Sequence, residues 1–184
     1  MVIAFAALAG LEIELKRPRT LHGRDGGLDC SVREHRPSAT VLRAPAEDLP
    51  FDDHAFDVAV STLVLCGVDD QPRALRELRR VLRPGGALVL SRQHPTGDWL
   101  RHGGNYFEVR TITETWSKGW TVKYWLTPLE RTCEEIFEAG FLIERLQEPR
   151  PTQEAAAIDP EDYERLSREP RGFMAFRLRP APSY

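Results

Sequence analysis

Cysteine is scarce and poorly spaced in this sequence. The three cysteines, Cys30, Cys66 and Cys133, are odd in number and far apart, and no CxxC pair exists. That pattern excludes a disulfide framework and a zinc site, and it fits a reducing cytoplasm. No other metal-ligand spacing appears, so no metal is expected. Long apolar runs are also missing. The run Val2 to Leu11 is too short to span a bilayer. It lacks the basic flank of a secretory signal, since Lys16-Arg17-Pro18-Arg19 follows it. A short buried helix or a non-native start is the expectation there. No basic block tracks nucleic acid, and the formal net charge is -3. Neither nucleic acid nor membrane is expected as a partner. Repeats and low-complexity segments are absent.

What is present suits one soluble globular domain. The 184 residues are 41% hydrophobic and 29% charged, enough apolar material for a single core. Four stretches differ in character. Residues 1–38 look degenerate or truncated, 39–92 are strongly patterned, 93–126 are aromatic-rich, and 127–184 are patterned again.

Phe56 to Ser61 is a short valine-rich run, as expected of a strand buried on both faces. Asp69 or Asp70 caps a helix with Pro72 in its first turn. Leu75, Leu78, Val81 and Leu82 form its apolar face, and the intervening arginines are expected to face water. Arg83-Pro84-Gly85-Gly86 suits a type II turn. Ala87 to Ser91 is the next strand. The unit is βαβ, with parallel strands and a right-handed crossover. Ligands of such sheets sit beyond the carboxyl ends of the strands, so Ser61 to Val68 and Arg92 to Trp99 are candidate site loops.

Further on, Thr127 and Glu130 predict a capping box, with Pro128 at the first helical position. Leu129, Cys133, Ile136 and Phe137 would be the buried face, and Gly140 the helix end. Phe141 to Leu146 and Phe173 to Leu178 read as a closing antiparallel strand pair, with a short helix from Asp159-Pro160 between them. Tyr106 to Trp116 and Trp120 to Leu126 read as a hairpin about Ser117-Lys118-Gly119.

With these elements in place, Ala46-Glu47-Asp48-Leu49-Pro50-Phe51, Phe56-Asp57-Val58 and Leu75 through Gly86 resemble the core of small-molecule class I S-adenosylmethionine-dependent methyltransferases, of the type 11-like kind. The resemblance is dense over 39–92 and extends to the last helix and strand pair. It implies an α/β fold with a Rossmann-like, mostly parallel sheet, an antiparallel C-terminal strand pair, and a first strand that is missing or altered. It implies S-adenosylmethionine as cofactor and a small-molecule acceptor. The family's glycine-rich loop, which holds the cofactor at a helix N-terminus, cannot be found.

The resemblance carries over Asp29, in Gly27-Leu28-Asp29-Cys30-Ser31, as the ribose-binding acid; an ordinary turn aspartate is the rival reading. Ala46 would offer its N–H to adenine, with Glu47 assisting. Where the family has an acid before them stands Pro45, with neither carboxylate nor N–H. Ser61 and Thr62, at the head of the first strand-end loop, complete the cofactor set. Trp99, Tyr106, Trp116 and Tyr124 would line a lid over the acceptor; burial of aromatics for stability is the alternative. His94, just past the second strand, is the candidate catalytic residue, with His102 a weaker one, and Cys66 reads as a packed thiol. The expected function is methyl transfer to a small molecule. Its rival is a catalytically silent or N-terminally truncated domain serving as a binding module. A bare hydrophobic sheet edge, if the first strand is lost, invites self-association. A nicotinamide-dependent oxidoreductase is a distant third, lacking its glycine fingerprint.

Overall fold

The computed structural model describes residues 2–6, 13–16, 41–115, 121–170 and 172–182. Seven of the described strands form one sheet: β1 (Val2–Ala6), β2 (Ile13–Lys16), β3 (Val41–Ala44), β4 (Phe56–Thr62), β5 (Leu82–Gln93), β8 (Phe141–Gln147) and β9 (Phe173–Pro180). Their order across the sheet is β3-β2-β1-β4-β5-β9-β8. The other two, β6 (Arg110–Thr115) and β7 (Thr121–Leu126), form a separate antiparallel pair.

The centre of the sheet follows from the sequence pattern. β4 and β5 pair in parallel, with Ala59 opposite Leu88 and Ser61 opposite Leu90. Helix α1 (Gln71–Val81) makes the crossover. Asp70 caps it by accepting from the Arg73 N–H at 3.0 Å, and Pro72 sits in its first turn. β5 as a strand includes the Arg83–Gly86 turn as an irregularity opposite Asp57, and Gly85 takes φ 81° there. Positive φ at that position is what a type II turn requires. A Cβ on Gly86 would come within 2.9 Å of the carbonyl oxygens of Arg83 and Asp57.

β9 runs antiparallel to both β5 and β8, as expected of a closing strand pair. One face of the sheet carries Ala59, Leu88, Leu90, Phe176 and Leu178, all fully or nearly fully buried. With Leu75, Leu78 and Val81 of α1 and Ile136 of α3 (Leu129–Glu138), they form the main core.

The opening run holds the strand β1 rather than a short buried helix, so the first strand is altered rather than missing. β1 takes the place between β2 and β4 and pairs in parallel with β4, Ala4 opposite Val60 and Phe5 opposite Ser61. The sheet position that a lost strand would leave bare is therefore filled. The alteration lies in the connection: only residues 7–12 separate β1 from β2. A parallel return needs a crossover of a dozen or more residues. The shorter link gives an antiparallel pair instead, with Phe5 opposite Leu15.

Several local expectations need correction. Arg79 and Arg80 of α1 do not simply face water. Arg79 donates to the carbonyls of Gly140 at 2.9 Å and Ala181 at 3.0 Å, joining the helix to the closing strands. The capping box at Thr127 does not form: α3 starts at Leu129 with no side-chain cap. The free Leu129 N–H is met instead by the Tyr106 hydroxyl at 3.3 Å. Phe137 is 54% exposed, and Thr132 and Glu135 take its place on the buried face. Arg92 to Trp99 is not all loop, because helix α2 (Pro95–His102) starts within it. Tyr106 lies after α2 and before β6 rather than in a strand. The remaining helices are α4 (Ala155–Ile158) and α5 (Pro160–Arg168), the latter capped by Asp159. Among the described residues, no helix is long and apolar enough to cross a membrane.

Candidate functional site

The carboxyl edges of β3, β4 and β5 bring the candidate residues together. At the end of β3, Ala44 and Ala46 are buried, Pro45 is exposed and Glu47 is half-buried. The segment turns through Asp48 N–H to the Pro45 carbonyl at 3.3 Å. Two residues of α1 then clamp it. Glu77 Oε2 accepts from the Leu49 N–H at 2.9 Å. Arg80 donates to the carbonyls of Leu49 at 2.9 Å and Phe51 at 2.7 Å, to Asp53 at 2.8 Å, and to Glu77. Phe51 packs edge-on against Phe56, with ring centroids 4.9 Å apart. The Ala46–Phe51 stretch and the Leu75–Gly86 stretch, separate in sequence, are thus two halves of one clamp.

The clamp makes a prediction about acid. The Arg80 hydrogen bond, ahead of other causes, holds the Glu77 carboxyl below its ordinary value of 4.5. A depressed carboxylate contributes stability above its unfolded pKa and loses it as pH falls through the folded one. Arg80→Ala should cost about 2 kcal/mol at pH 7, toward the low end of charged hydrogen bonds because the side chain is part exposed. The gap between wild type and variant should narrow below about pH 4 as Glu77 protonates. Denaturant unfolding at pH 7 and pH 3 checks both; an equal gap at the two pH values contradicts the assignment.

At the end of β4, Ser61 is buried, and its Oγ has no hydrogen-bond partner among the described residues. An orphaned buried hydroxyl is costly unless something meets it. Thr62 is exposed. Leu63 follows at φ 56°, with its N–H donating to the Ser91 carbonyl at 2.9 Å. Such a conformation is unusual for leucine and marks a sharp turn off the strand.

At the end of β5, Gln93 also holds a buried oxygen, Oε1, with no partner among the described residues. His94 is buried and caps α2: Nδ1 accepts from the Thr96 N–H at 3.2 Å, so Nε2 carries the proton and donates to Glu148 at 2.9 Å. Both ring nitrogens of His94 are engaged. Behind them Arg92 is buried, with Asp98, Glu135 and Cys66 in its electrostatic surroundings. Burial pushes the Asp98 carboxyl up to about 6, and burial likewise raises the Cys66 thiol.

A groove of about 740 Å³ opens over these strand ends. Leu63, Gln93 and Phe173 belong to the main sheet and its strand ends; Arg101, His102, Glu114, Thr115 and Tyr124 come from α2 and the β6–β7 hairpin. Tyr124 is the acceptor-lid residue found in this groove. Trp99 and Tyr106 contact each other edge-on at 6.4 Å and line a separate cleft of about 20 Å³. Asp29 and Trp116 lie outside the described residues. Glu114 was not signalled by the sequence. It sits on β6 one register step diagonally from Tyr124, since Ile112 pairs with Tyr124 and Glu114 with Val122. Diagonal neighbours on one strand face lie within reach of long side chains.

The carboxyl-edge residues fit part of an S-adenosylmethionine cradle. Ala46 and Glu47 at β3 and the unpartnered Ser61 hydroxyl at β4 offer polar groups to a ligand, while Pro45 offers no carboxylate.

Comparison with known proteins points to the same fold. Residues 25–90 match the family model described as "Methyltransferase domain". A ubiquinone/menaquinone biosynthesis C-methyltransferase UbiE from Idiomarina loihiensis is 42% identical over 90 residues, 48% of this chain and 33% of that protein. The human thiol S-methyltransferase TMT1B is 48% identical over 68 residues, 35% of this chain and 28% of that protein. The matched stretch is thus about a third of the length of these curated relatives. The solved structure of an S-adenosylmethionine-dependent methyltransferase from Mesorhizobium loti superposes with TM-score 0.70 at 27% identity, covering 84% of this chain and 76% of that one. By its sheet order, its Ala46–Gly86 motif and these likenesses, the chain resembles the class I S-adenosylmethionine-dependent methyltransferases, which use S-adenosylmethionine as cofactor.

Proposed function

We propose that the chain binds S-adenosylmethionine along the carboxyl edges of β3 and β4 and transfers its methyl group to a small molecule held in the groove. The observation that carries this reading is contiguity. The groove opens at Leu63, and the adjoining residues are Thr62 and the unpartnered Ser61. Ala46, Glu47, Ser61 and Thr62 would hold the cofactor, with Asp29 proposed for the ribose. When bound, the sulfonium supplies an electrophilic methyl group. The residues of this chain must hold an acceptor in line with it and keep water out. The β6–β7 hairpin and α2 supply the wall for that purpose, with Tyr124 in the groove and Trp99 and Tyr106 bracing the hairpin's base. His94 is proposed as a positioning group: it caps α2 and so sets where Arg101 and His102 stand.

A small organic acceptor is supported by the relatives, whose names describe quinone-biosynthesis C-methylation and thiol S-methylation. The free thiols Cys66 and Cys133 support a reducing compartment. Calorimetric titration with S-adenosylmethionine tests the reading. Saturable heat is expected below about 1 mM, the upper range of working enzyme affinities. No heat at that concentration contradicts it.

A further inference from the structure

The groove wall contains a cluster that neither the family match nor the cofactor side uses. His102 Nε2 lies 3.1 Å from the Tyr124 hydroxyl, and that hydroxyl donates to Glu114 Oε2 at 3.1 Å. Glu114 Oε1 is 3.5 Å from the same His102 nitrogen. All three residues lie beyond residues 25–90, so they are features of this chain outside the matched core.

The proton inventory fixes the roles. A carboxylate only accepts, so the single phenolic proton goes to Glu114. Toward His102 the Tyr124 oxygen can then only accept, and Nε2 must carry the imidazole proton. That leaves Nδ1 as the unprotonated nitrogen, and no partner for it occurs among the described residues. This is the arrangement of a base whose tautomer is set by a group behind it. The tyrosine stays protonated because burial and the neighbouring carboxylates raise its pKa.

We propose that His102 is the acceptor-side base of the groove, with Nδ1 as the proton-accepting atom, Tyr124 and Glu114 as positioning residues, and a neutral acceptor of the phenol or enol class. The chemistry rests on the methyl-transfer reading above. The acceptor O–H proton passes to Nδ1, and the oxygen electron pair forms the new O–C bond. The C–S bond of the sulfonium donor breaks with its pair left on sulfur as a thioether. The imidazolium then returns its proton to solvent.

Other candidates serve this role less well. His94 has both nitrogens engaged. Asp98 lines the separate 20 Å³ cleft, room for about one water, rather than the groove. Cys66 does not line the groove.

Charge selects the acceptor class. Arg101 of α2, Glu114 and Arg110 of β6, and Tyr124 of β7 surround His102. Burial, first, and then Arg101 and Arg110 lower its pKa against the opposing pull of Glu114, so the ring is neutral and able to accept at pH 7. Glu114 is already engaged by Tyr124, His102 and, at 3.8 Å, Arg101. A protonated amine would meet the arginines without a free carboxylate. An oxygen acquiring negative charge would meet a favourable field.

The test uses the full chain without cofactor, so it is separable from the titration above. Long-range ¹H–¹⁵N NMR should show His102 as the Nε2–H tautomer in wild type. Tyr124→Phe, which keeps the ring, should move it toward Nδ1–H. 4-Nitrophenol serves as the acceptor probe, with tryptophan fluorescence reporting binding and visible absorbance reporting ionisation. Bound to wild type, its phenolate-to-phenol ratio should rise about tenfold over solution at the same pH. His102→Gln should bind the probe and lose that rise, and Tyr124→Phe should diminish it. A wild-type Nδ1–H tautomer, equal ionisation in His102→Gln, or no saturable fluorescence change would each overturn the proposal. A positive result here beside a failed cofactor titration would remove methyl transfer and leave the base standing; the reverse would remove only His102.

Discussion

Replacing Pro45 with aspartate is expected to tighten S-adenosylmethionine binding about ten- to a hundredfold, the value of one charge-assisted hydrogen bond. Family resemblance places an acid at this position against the adenine amine, and proline supplies neither carboxylate nor N–H. The structure leaves room for the change. Pro45 is exposed, and its carbonyl accepts from the Asp48 N–H. Any residue can supply that carbonyl, so aspartate should preserve the turn. Pro45→Ala separates the carboxylate from mere relief of proline. Calorimetry on the three chains decides: aspartate must gain and alanine must not. Equal affinity in both variants would remove the adenine from this edge of the sheet.

Phe56→Ala should lower stability by about 3–5 kcal/mol, as expected for emptying a fully buried aromatic site. Phe56 is 0% exposed and begins β4. Its ring also supports Phe51, the end of the segment that Glu77 and Arg80 clamp. The substitution should therefore weaken cofactor binding as well as folding. It acts on the same segment as Arg80→Ala, so the two should combine non-additively in a double-mutant cycle. Denaturant unfolding of the single and double variants measures both effects. A loss under about 1 kcal/mol for Phe56→Ala would contradict the packing.

The parts of the fold legible in the sequence are those where local pattern and tertiary role agree. Val58 and Val60 in a short apolar run mark a central strand, and Leu75, Leu78 and Val81 fall on one helix face that does become core. Gly85 and Gly140 both take positive φ, as a turn and a helix end require. The less legible parts depend on partners distant in sequence. Helix α2 contains Pro95 and Gly97 and is capped by a histidine, an uncommon cap. The first free N–H of α3 is met by Tyr106, 23 residues earlier, rather than by Thr127. Arg80 looks like a solvent-facing residue until the Leu49 and Phe51 carbonyls fold over α1. The reversed direction of β2 follows from loop length, not from composition.

The candidate site divides in the same way. Ala46 is a candidate through the family resemblance, and Ser61 through its place at a strand end, where ligands bind in open α/β sheets. Tyr124 was readable as one aromatic among several. Its pairing with Glu114 and His102 was not, because the three residues belong to β7, β6 and α2 and meet only when the hairpin packs over α2. Trp99 and Tyr106, expected beside Tyr124, instead meet edge-on at a separate cleft.

The central claim is that the carboxyl edges of β3 and β4, continuous with the groove at Leu63, hold the methyl donor. A crystal structure of the chain with S-adenosylhomocysteine tests it most directly. Adenine density is expected against Ala46, with the sulfur end near Ser61 and Leu63, facing His102 across the groove. Density at another edge of the sheet, or none at saturating ligand, would contradict it.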